Sequence, residues 1–572
     1  MSLRKNLLLI LGISLLFSCN KREKKLPENN AVVYYGGGIL TMVGDKPEYA
    51  EAIAVKDGEI LFVVASNEAM EIAGDGHQMI DLKGKTLMPG FIDPHSHFIN
   101  SLGMSVQANC SPSPVGKADD VQGVIEALKN LKEDKNIPEG ELIMGYGYDD
   151  TVMPEGELLN RDHLDEAFPN NPVMVIHVSL HGAVLNSKAM EMYDISEDTE
   201  TPPGGIIVRK EGTSEPYGLI METAFLPIFS NLPKPTEEEL MQQLKDGQMI
   251  YAEAGVTTAQ DGASHIGDVE IFQKGADENA LFIDVVSYPF ITEFDTIFKL
   301  YRQEDFGKYN NRLKLGGIKI TIDGSPQGRT ALFTTPYLTG GPSGEENWLG
   351  ESTFSQDEVN GMLKSVYEKG LQSLFHANGD GAIDMCIKAH EFASDGDPTK
   401  ERRTTIIHSQ FVRPDQLDKY VEYNLIPSFY TEHTFFFADA HIKNRGLEQA
   451  SFISPMKTAL EKGLEPTNHT DFNVAPIDQM MVVWTAVNRI SRNGEVIGKD
   501  ERISPYQALQ AITSHAAYQY FEEDRKGTLE KGKLADLVIL DANPLKVESM
   551  KIKDIKVVET IKEGQTIFKR QL

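Results

Sequence analysis

Two histidines one residue apart, His95 and His97, stand where the apolar run Leu87-Met88-Pro89-Gly90-Phe91-Ile92 gives out into Asp93-Pro94. Side chains two apart on a strand face the same way, so the pair presents two imidazoles from one rigid edge. That is half of a site for zinc or a similar divalent ion. The same residue types recur at the ends of other apolar runs: His376 after Leu374-Phe375, His408 after Ile406-Ile407, and Asp471 in Asn468-His469-Thr470-Asp471. Lys319 lies inside Gly316-Gly317-Ile318-Lys319-Ile320-Thr321-Ile322, a setting hostile to a bare ammonium. Any one buried histidine is ordinarily a hydrogen-bonded core residue. Repeated at strand end after strand end, the pattern points to a metal site.

The elements that must position these residues follow from periodicity. After a helical stretch from Thr236 to Ala254, strand-like segments recur at Gly255–Ala259, Ala280–Ser287, Leu315–Ile322, Leu371–His376, Thr404–His408, Leu425–Tyr430 and Leu464–Asp471, with helical segments between most of them. The strand before His95 completes the run. An α/β protein built on a (β/α)8 TIM barrel is the expectation, with its site at the carboxyl ends of the strands. An open doubly wound sheet is less well supported, because no Gly-rich phosphate loop is present.

Both ends of the chain read as strand instead. Ala52–Val55 and Ile60–Val64 flank Asp57-Gly58, a hairpin signal, and Ala535–Asp541, Ile555–Ile561 and Thr566–Lys569 follow near the carboxyl end, the last two about Glu563-Gly564. Neither end is large enough to be stable alone, so residues 31–86 and 527–572 are expected to form one composite β-sandwich, with the barrel of 87–526 inserted between its halves. An insertion over 100–235 follows the first barrel strand. A chain of 572 residues with 41% hydrophobic content suits this multi-module globular plan. A formal charge of −30 argues against nucleic acid and anionic lipid surfaces as partners, leaving a small molecule.

Residues 1–19 read as a lipoprotein signal: Arg4 and Lys5, an apolar run from Leu7 to Phe17, then Leu16-Phe17-Ser18-Cys19. Cys19 would carry the lipid, residues 20–30 would be the tether, and the protein would sit in the cell envelope, anchored to a membrane. Whether Cys110 and Cys386 meet is open at this point.

Together these motifs resemble the amidohydrolase superfamily, and within it the family-three branch that includes N-substituted formamide deformylases. The resemblance rests on Pro89-Gly90-Phe91-Ile92-Asp93-Pro94-His95-Ser96-His97, on Gly317-Ile318-Lys319 with Asp323-Gly324-Ser325 and Arg329-Thr330-Ala331, on His376 with Gly379-Asp380, on His408-Ser409-Gln410 and on Gly532-Lys533-Leu534-Ala535-Asp536-Leu537-Val538. It implies two divalent metal ions, expected to be zinc: one on His95, His97 and Asp471, the other on His376 and His408. Lys319, carboxylated by carbon dioxide, would bridge them. It also implies hydrolysis of a C–N bond, amide or formamide, by metal-bound hydroxide, with Asp471 as proton shuttle.

Departures from the family pattern mark where the reading is open. Where the family usually carries Gly-Ser-Asp on strand eight this chain has His469-Thr470-Asp471, and His469 is a candidate for tuning the shuttle or binding substrate, with a structural role as the alternative. Gly381 replaces a frequent Arg. His433, in Tyr430-Thr431-Glu432-His433, is a candidate oxyanion donor. Tyr148, Asp149 and His181 of the insertion are the residues expected nearest the substrate. Deamination, ester hydrolysis and ligand binding without turnover remain as alternatives on the same site.

Overall fold

Apolar alternation at the two ends of the chain resolves into a single eight-stranded sheet. The computed structural model describes residues 31–64, 77–113, 115–150, 153–154, 157–178 and 181–571; the expected signal and tether, with Cys19, lie outside the described residues. The strand Leu537–Leu540 pairs antiparallel with Thr86–Pro89 on one side and with Val557–Lys562 on the other, so strands from both ends of the chain share hydrogen bonds. Asp57 and Gly58, at φ 51° and 86°, both adopt the left-handed conformation that a tight hairpin needs.

The middle of the chain forms two five-stranded sheets, parallel except for the short edge strand Tyr309–Asn310. One contains Phe91–Ile92, Val256–Ser264, Asp284–Pro289 and Leu313–Leu315 as parallel neighbours. The other contains Gly317–Thr321, Gln372–Ala377, Thr405–His408, Ile426–Phe429 and Thr467–Asn468. The run expected over Leu315–Ile322 is interrupted at Gly316, where a Cβ would come 2.5 Å from the Tyr288 ring. The sheets meet at a parallel bridge between Phe290 and Lys319. At their far edges the Asp471 N–H donates to His95 O at 3.1 Å and the His97 N–H to Phe472 O at 2.7 Å. The last strand is much shorter than expected, because the chain leaves extended geometry before Asp471, whose φ is 52°.

Helices pack on these sheets by their apolar faces. Glu237–Glu253 starts in a Thr236/Glu239 capping box and buries Met241, Leu244 and Tyr251. The Tyr251 and Phe272 rings both contact Phe98 of the short helix Phe98–Met104. The insertion has its own six-stranded sheet, with helix Val121–Asp134 burying Val124, Ile125 and Leu128. Cys110 and Cys386 are both buried free thiols and do not pair. Among the described residues no helix is long and apolar enough to cross a membrane.

A buried ionic cluster joins the sheet of the chain ends to the parallel strands. Asp284 receives the ammonium groups of Lys526 and Lys562, and Lys562 also reaches Asp536 at 2.7 Å. Glu522 accepts from Lys314 at 2.8 Å and from Lys526 at 2.6 Å. Burial alone would raise the Asp284 carboxyl, but Lys526 and then Lys562 outweigh it and hold the group well below the usual carboxylate range.

Candidate metal centre

The strand-end residues converge because each parallel strand delivers its last polar side chain to the same rim. Among the described residues, His95, His97 and Asp471 place one donor atom each within 4.8 Å of one another. Asp471 Oδ1 lies 3.4 Å from His95 Nε2 and 3.4 Å from His97 Nε2. Strand-to-strand bonds hold this group: Thr470 Oγ1 donates to Asp93 Oδ2 at 2.6 Å, tying the segment before His95 to the one before Asp471. Burial pushes the Asp93 carboxyl up to about 7.

Hydrogen bonds settle the His95 tautomer. Gln260 Nε2 donates to Pro94 O and to the Tyr520 hydroxyl, so Gln260 Oε1 is the acceptor facing His95 Nδ1 at 2.7 Å. His95 therefore carries its proton on Nδ1 and directs an Nε2 lone pair at Asp471. Burial, with the charge of Lys319 adding to it, holds the ring's pKa well below the ordinary histidine value, so it stays neutral.

The neighbouring histidines complete a cluster of rings. His408 lies edge-on to His376 with centroids 4.5 Å apart and to His95 at 5.5 Å. His408 is fixed in the left-handed region at φ 71°, a conformation that non-glycine residues rarely hold and that recurs at functional positions. Its Nδ1 sits 3.1 Å from His469 Nε2, and His469 Nδ1 sits 3.0 Å from Ser428 Oγ. Burial, then the charge of His376, lowers His408 well below the ordinary value. Lys319 Nζ reaches to 3.5 Å from His95 Nε2. Burial pushes that ammonium down to about 7, against the opposing pull of Asp471.

Divalent cations fit this donor set. Asp471 Oδ1 is buried with no hydrogen-bond partner, which is expensive for an isolated polar atom and ordinary for a metal ligand, and His376 turns Nδ1 toward Asp323 Oδ1 at 3.4 Å. The His95 lone pair and the Asp471 oxygen face each other with no proton between them. Burial opposes ionisation of Asp471, yet the neighbouring His97 outweighs it and leaves the carboxyl below its usual value. Neutral imidazoles and an ionised carboxylate are the protonation states a metal requires.

The substrate residues expected in the insertion separate. A cleft of about 1520 Å³ is lined by Asp149, by Ile99 and Asn100 just beyond His97, by Phe436 and Phe437 just beyond His433, and by Phe472 and Asn473 just beyond Asp471. Asp149 thus lines the cleft. Tyr148 is instead 2% exposed in the core of the insertion, its hydroxyl accepting from the Leu159 N–H at 3.1 Å. His181 is exposed and pairs with the Glu222 carboxylate at 3.1 Å, away from the cleft lining. His469 is fully buried with both nitrogens engaged, which leaves none for a substrate. His433 begins the short helix His433–Phe436 and contacts the Tyr430 ring at 4.6 Å.

Several neighbours of the histidine cluster escaped sequence reasoning: Gln260, Ser428, Tyr430 and His441. Tyr430 stacks on His469 at 5.1 Å, with its buried hydroxyl unpartnered. Ser428 lies on an expected strand and Gln260 one residue past the expected end of another, which runs on to Ser264, so polar residues in and just beyond apolar strands were the available signal. Nothing in the local pattern marked His441.

Known proteins place this geometry. "Protein LONG AFTER FAR-RED 3" of Arabidopsis thaliana is 29% identical over 521 residues, 89% of this chain and 86% of that protein. "N-substituted formamide deformylase" of Arthrobacter pascens is 23% identical over 535 residues, 91% and 95% of the two chains. The crystal structure of an uncharacterized metal-dependent hydrolase from Pyrococcus furiosus superposes with a TM-score of 0.69 at 25% identity, covering 90% of this chain and 100% of that one. The family model described as "Amidohydrolase family" matches residues 78–568. With its histidine, lysine and aspartate donors gathered at the ends of parallel strands, the chain belongs to the amidohydrolase family.

Proposed function

We propose that the protein is a metal-dependent hydrolase that cleaves a carbon–nitrogen bond of amide or formamide type, and that its parallel strands constitute a (β/α)8 barrel. The observation that carries this reading is the unpartnered Asp471 oxygen facing the His95 lone pair at 3.4 Å. The deformylase relative supports formamides as the first substrates to try.

His95, His97 and Asp471 would hold one divalent ion, of zinc type, and His376 and His408 a second. Lys319 supports a carbamate bridge. An amine whose pKa lies near 7 is substantially unprotonated at neutral pH and can combine with carbon dioxide, releasing a proton and turning a costly buried cation into an anion. Bound ions supply activation of water and polarisation of the scissile carbonyl.

The chain's own residues do the rest. Gln260 holds His95 with Nε2 free; His469, backed by Ser428, holds the His408 ring through Nδ1. Asp471 accepts the proton released as water attacks and passes it to the leaving nitrogen. His433 donates to the carbonyl oxygen as negative charge grows there.

Metal analysis of the purified protein, with amine release measured across a panel of N-formyl and N-acyl amines, tests the proposal. Bound divalent metal and released amine are expected; a metal-free protein that binds such compounds without turnover would replace the enzyme by a binding protein. We further propose a lipid anchor at Cys19. Cys19→Ala should leave the membrane fraction or keep its signal uncleaved, and a cleaved mutant still fully membrane-bound would overturn the anchor.

A further inference from the structure

His433 does not stand alone. Its Nδ1 lies 2.9 Å from Nε2 of His441, which sits on the next helix, Ala438–Arg445. The ring planes differ by 15° and the centroids are 5.0 Å apart, so with that short N–N distance the two imidazoles lie nearly in one plane, edge to edge along a hydrogen bond. Eight residues separate them, and the two helices join at Phe437, whose φ is −125°: the Phe437 N–H donates to His433 O and the His441 N–H to Phe437 O. Phe411 closes against the His441 ring at 5.4 Å.

Two neutral rings share one proton here, and the surroundings decide its direction. Burial keeps both uncharged, His433 well below the ordinary value and His441 down to about 3. His441 Nδ1 is buried and meets no partner. If His433 donated, the proton of His441 would have to sit on that Nδ1, a buried N–H with no acceptor. If His441 donates from Nε2, only a lone pair is left unmatched. Orphaned buried N–H groups are the rarer of the two in proteins. His441 thus donates, and the remaining proton of His433 sits on Nε2. That nitrogen takes no protein partner among the described residues, and His433 as a whole is 4% exposed, beside the strand end that also carries Tyr430.

We propose that His441 is a positioning residue: by donating Nε2–H to His433 Nδ1 it fixes His433 as the Nε2–H tautomer, a neutral donor held ready for the carbonyl oxygen of the substrate. The proposal rests on the hydrolase reading for the identity of that oxygen, and on the imidazole pair alone for the tautomer.

The test uses the full-length, metal-loaded protein. ¹⁵N-histidine NMR should show His433 as the Nε2–H tautomer in the wild type, a measurement that stands whether or not any amide is turned over. His441→Phe keeps the ring and removes the donor. It should lower kcat about 10- to 100-fold, less than the loss of an oxyanion donor outright, with KM changed less than about threefold and metal content unchanged. His441→Gln, whose amide can donate to His433, should recover kcat to within about fivefold of wild type. A wild-type His433 protonated on Nδ1 would overturn the proposal, as would Phe and Gln variants of equal kcat. A wild type that hydrolyses nothing in the panel yet shows the Nε2–H tautomer would remove the hydrolase reading and leave the pairing standing.

Discussion

His469 is braced against His408: Nε2 of one lies 3.1 Å from Nδ1 of the other, and Ser428 Oγ closes the far side of His469 at 3.0 Å. A metal-binding imidazole is oriented by what its second nitrogen meets, and loss of such partners weakens metal binding or activity by roughly 10- to 100-fold. His469→Ala should therefore lose metal in dialysis against a mild chelator, with turnover falling in step. His469→Gln, which can still accept from His408, should recover part of both. Metal retention and turnover matching wild type in the Ala variant would show that the contact is only packing.

Asp471 can have its ligand and shuttle roles separated. Asn keeps the size and one oxygen and removes the basicity, so the four histidines and Lys319 should retain most of the metal. Turnover is expected to drop at least roughly 100-fold at near-normal substrate affinity, the scale of a lost general base. Turnover within about tenfold of wild type would assign the proton transfer to another group.

Lys319 makes sense in its apolar strand if it works as an anion. Lys319→Ala should lose metal and activity together, and added acetate or propionate should restore part of each by filling the gap with a carboxylate. Full metal occupancy in the untreated variant would exclude a bridging role.

The Asp284 cluster predicts a pH dependence remote from the metal. Its folded-state pKa is depressed below an unfolded value of about 3.9, so its contribution is complete above that pH and is lost as the solution is acidified toward the folded value. Lys526 is shifted the other way: burial alone would lower its ammonium, but the charge of Asp284 outweighs this and raises it, so its contribution persists until pH rises beyond the usual lysine range. Asp284→Asn strands buried ammonium groups and should destabilise by about 3–5 kcal/mol, with a flatter denaturation midpoint between about pH 5 and 2 than wild type. Chemical denaturation across that range reads both, and an unchanged slope would mean the carboxyl is unperturbed.

The rim was legible in the sequence because strand periodicity and apolar runs are local signals: His376 and His408 end strands within a residue or two of the expected bounds. What supports the rim was not. Gln260 meets His95 across 165 residues and Ser428 meets His469 across 41, and no periodicity records which distant polar side chain completes a hydrogen bond. The insertion misled for a related reason. Tyr148 and His181 flank segments that do approach the cleft, but a strand's alternation does not say which face is turned to the substrate, and Tyr148 turns to the core. His469 and Asp471 were expected on one regular strand, but the strand ends at Asn468 and Asp471 takes a left-handed φ of 52°.

The backbone bonds from Asp471 to His95 and from His97 to Phe472 join the two extremes of the parallel-strand series. A chain emerging from the ribosome makes His95 and His97 hundreds of residues before their carboxylate partner exists, and the sheet beside them still awaits the strands beyond Leu537. An ion on the proposed His95, His97 and Asp471 set would therefore have no complete nest until the segment of Asp471 has met the one that carries His95. On the proposed ligand set, ion capture would mark the closed molecule, and a truncation or misregister that keeps those ends apart would leave His95 and His97 without their carboxylate partner.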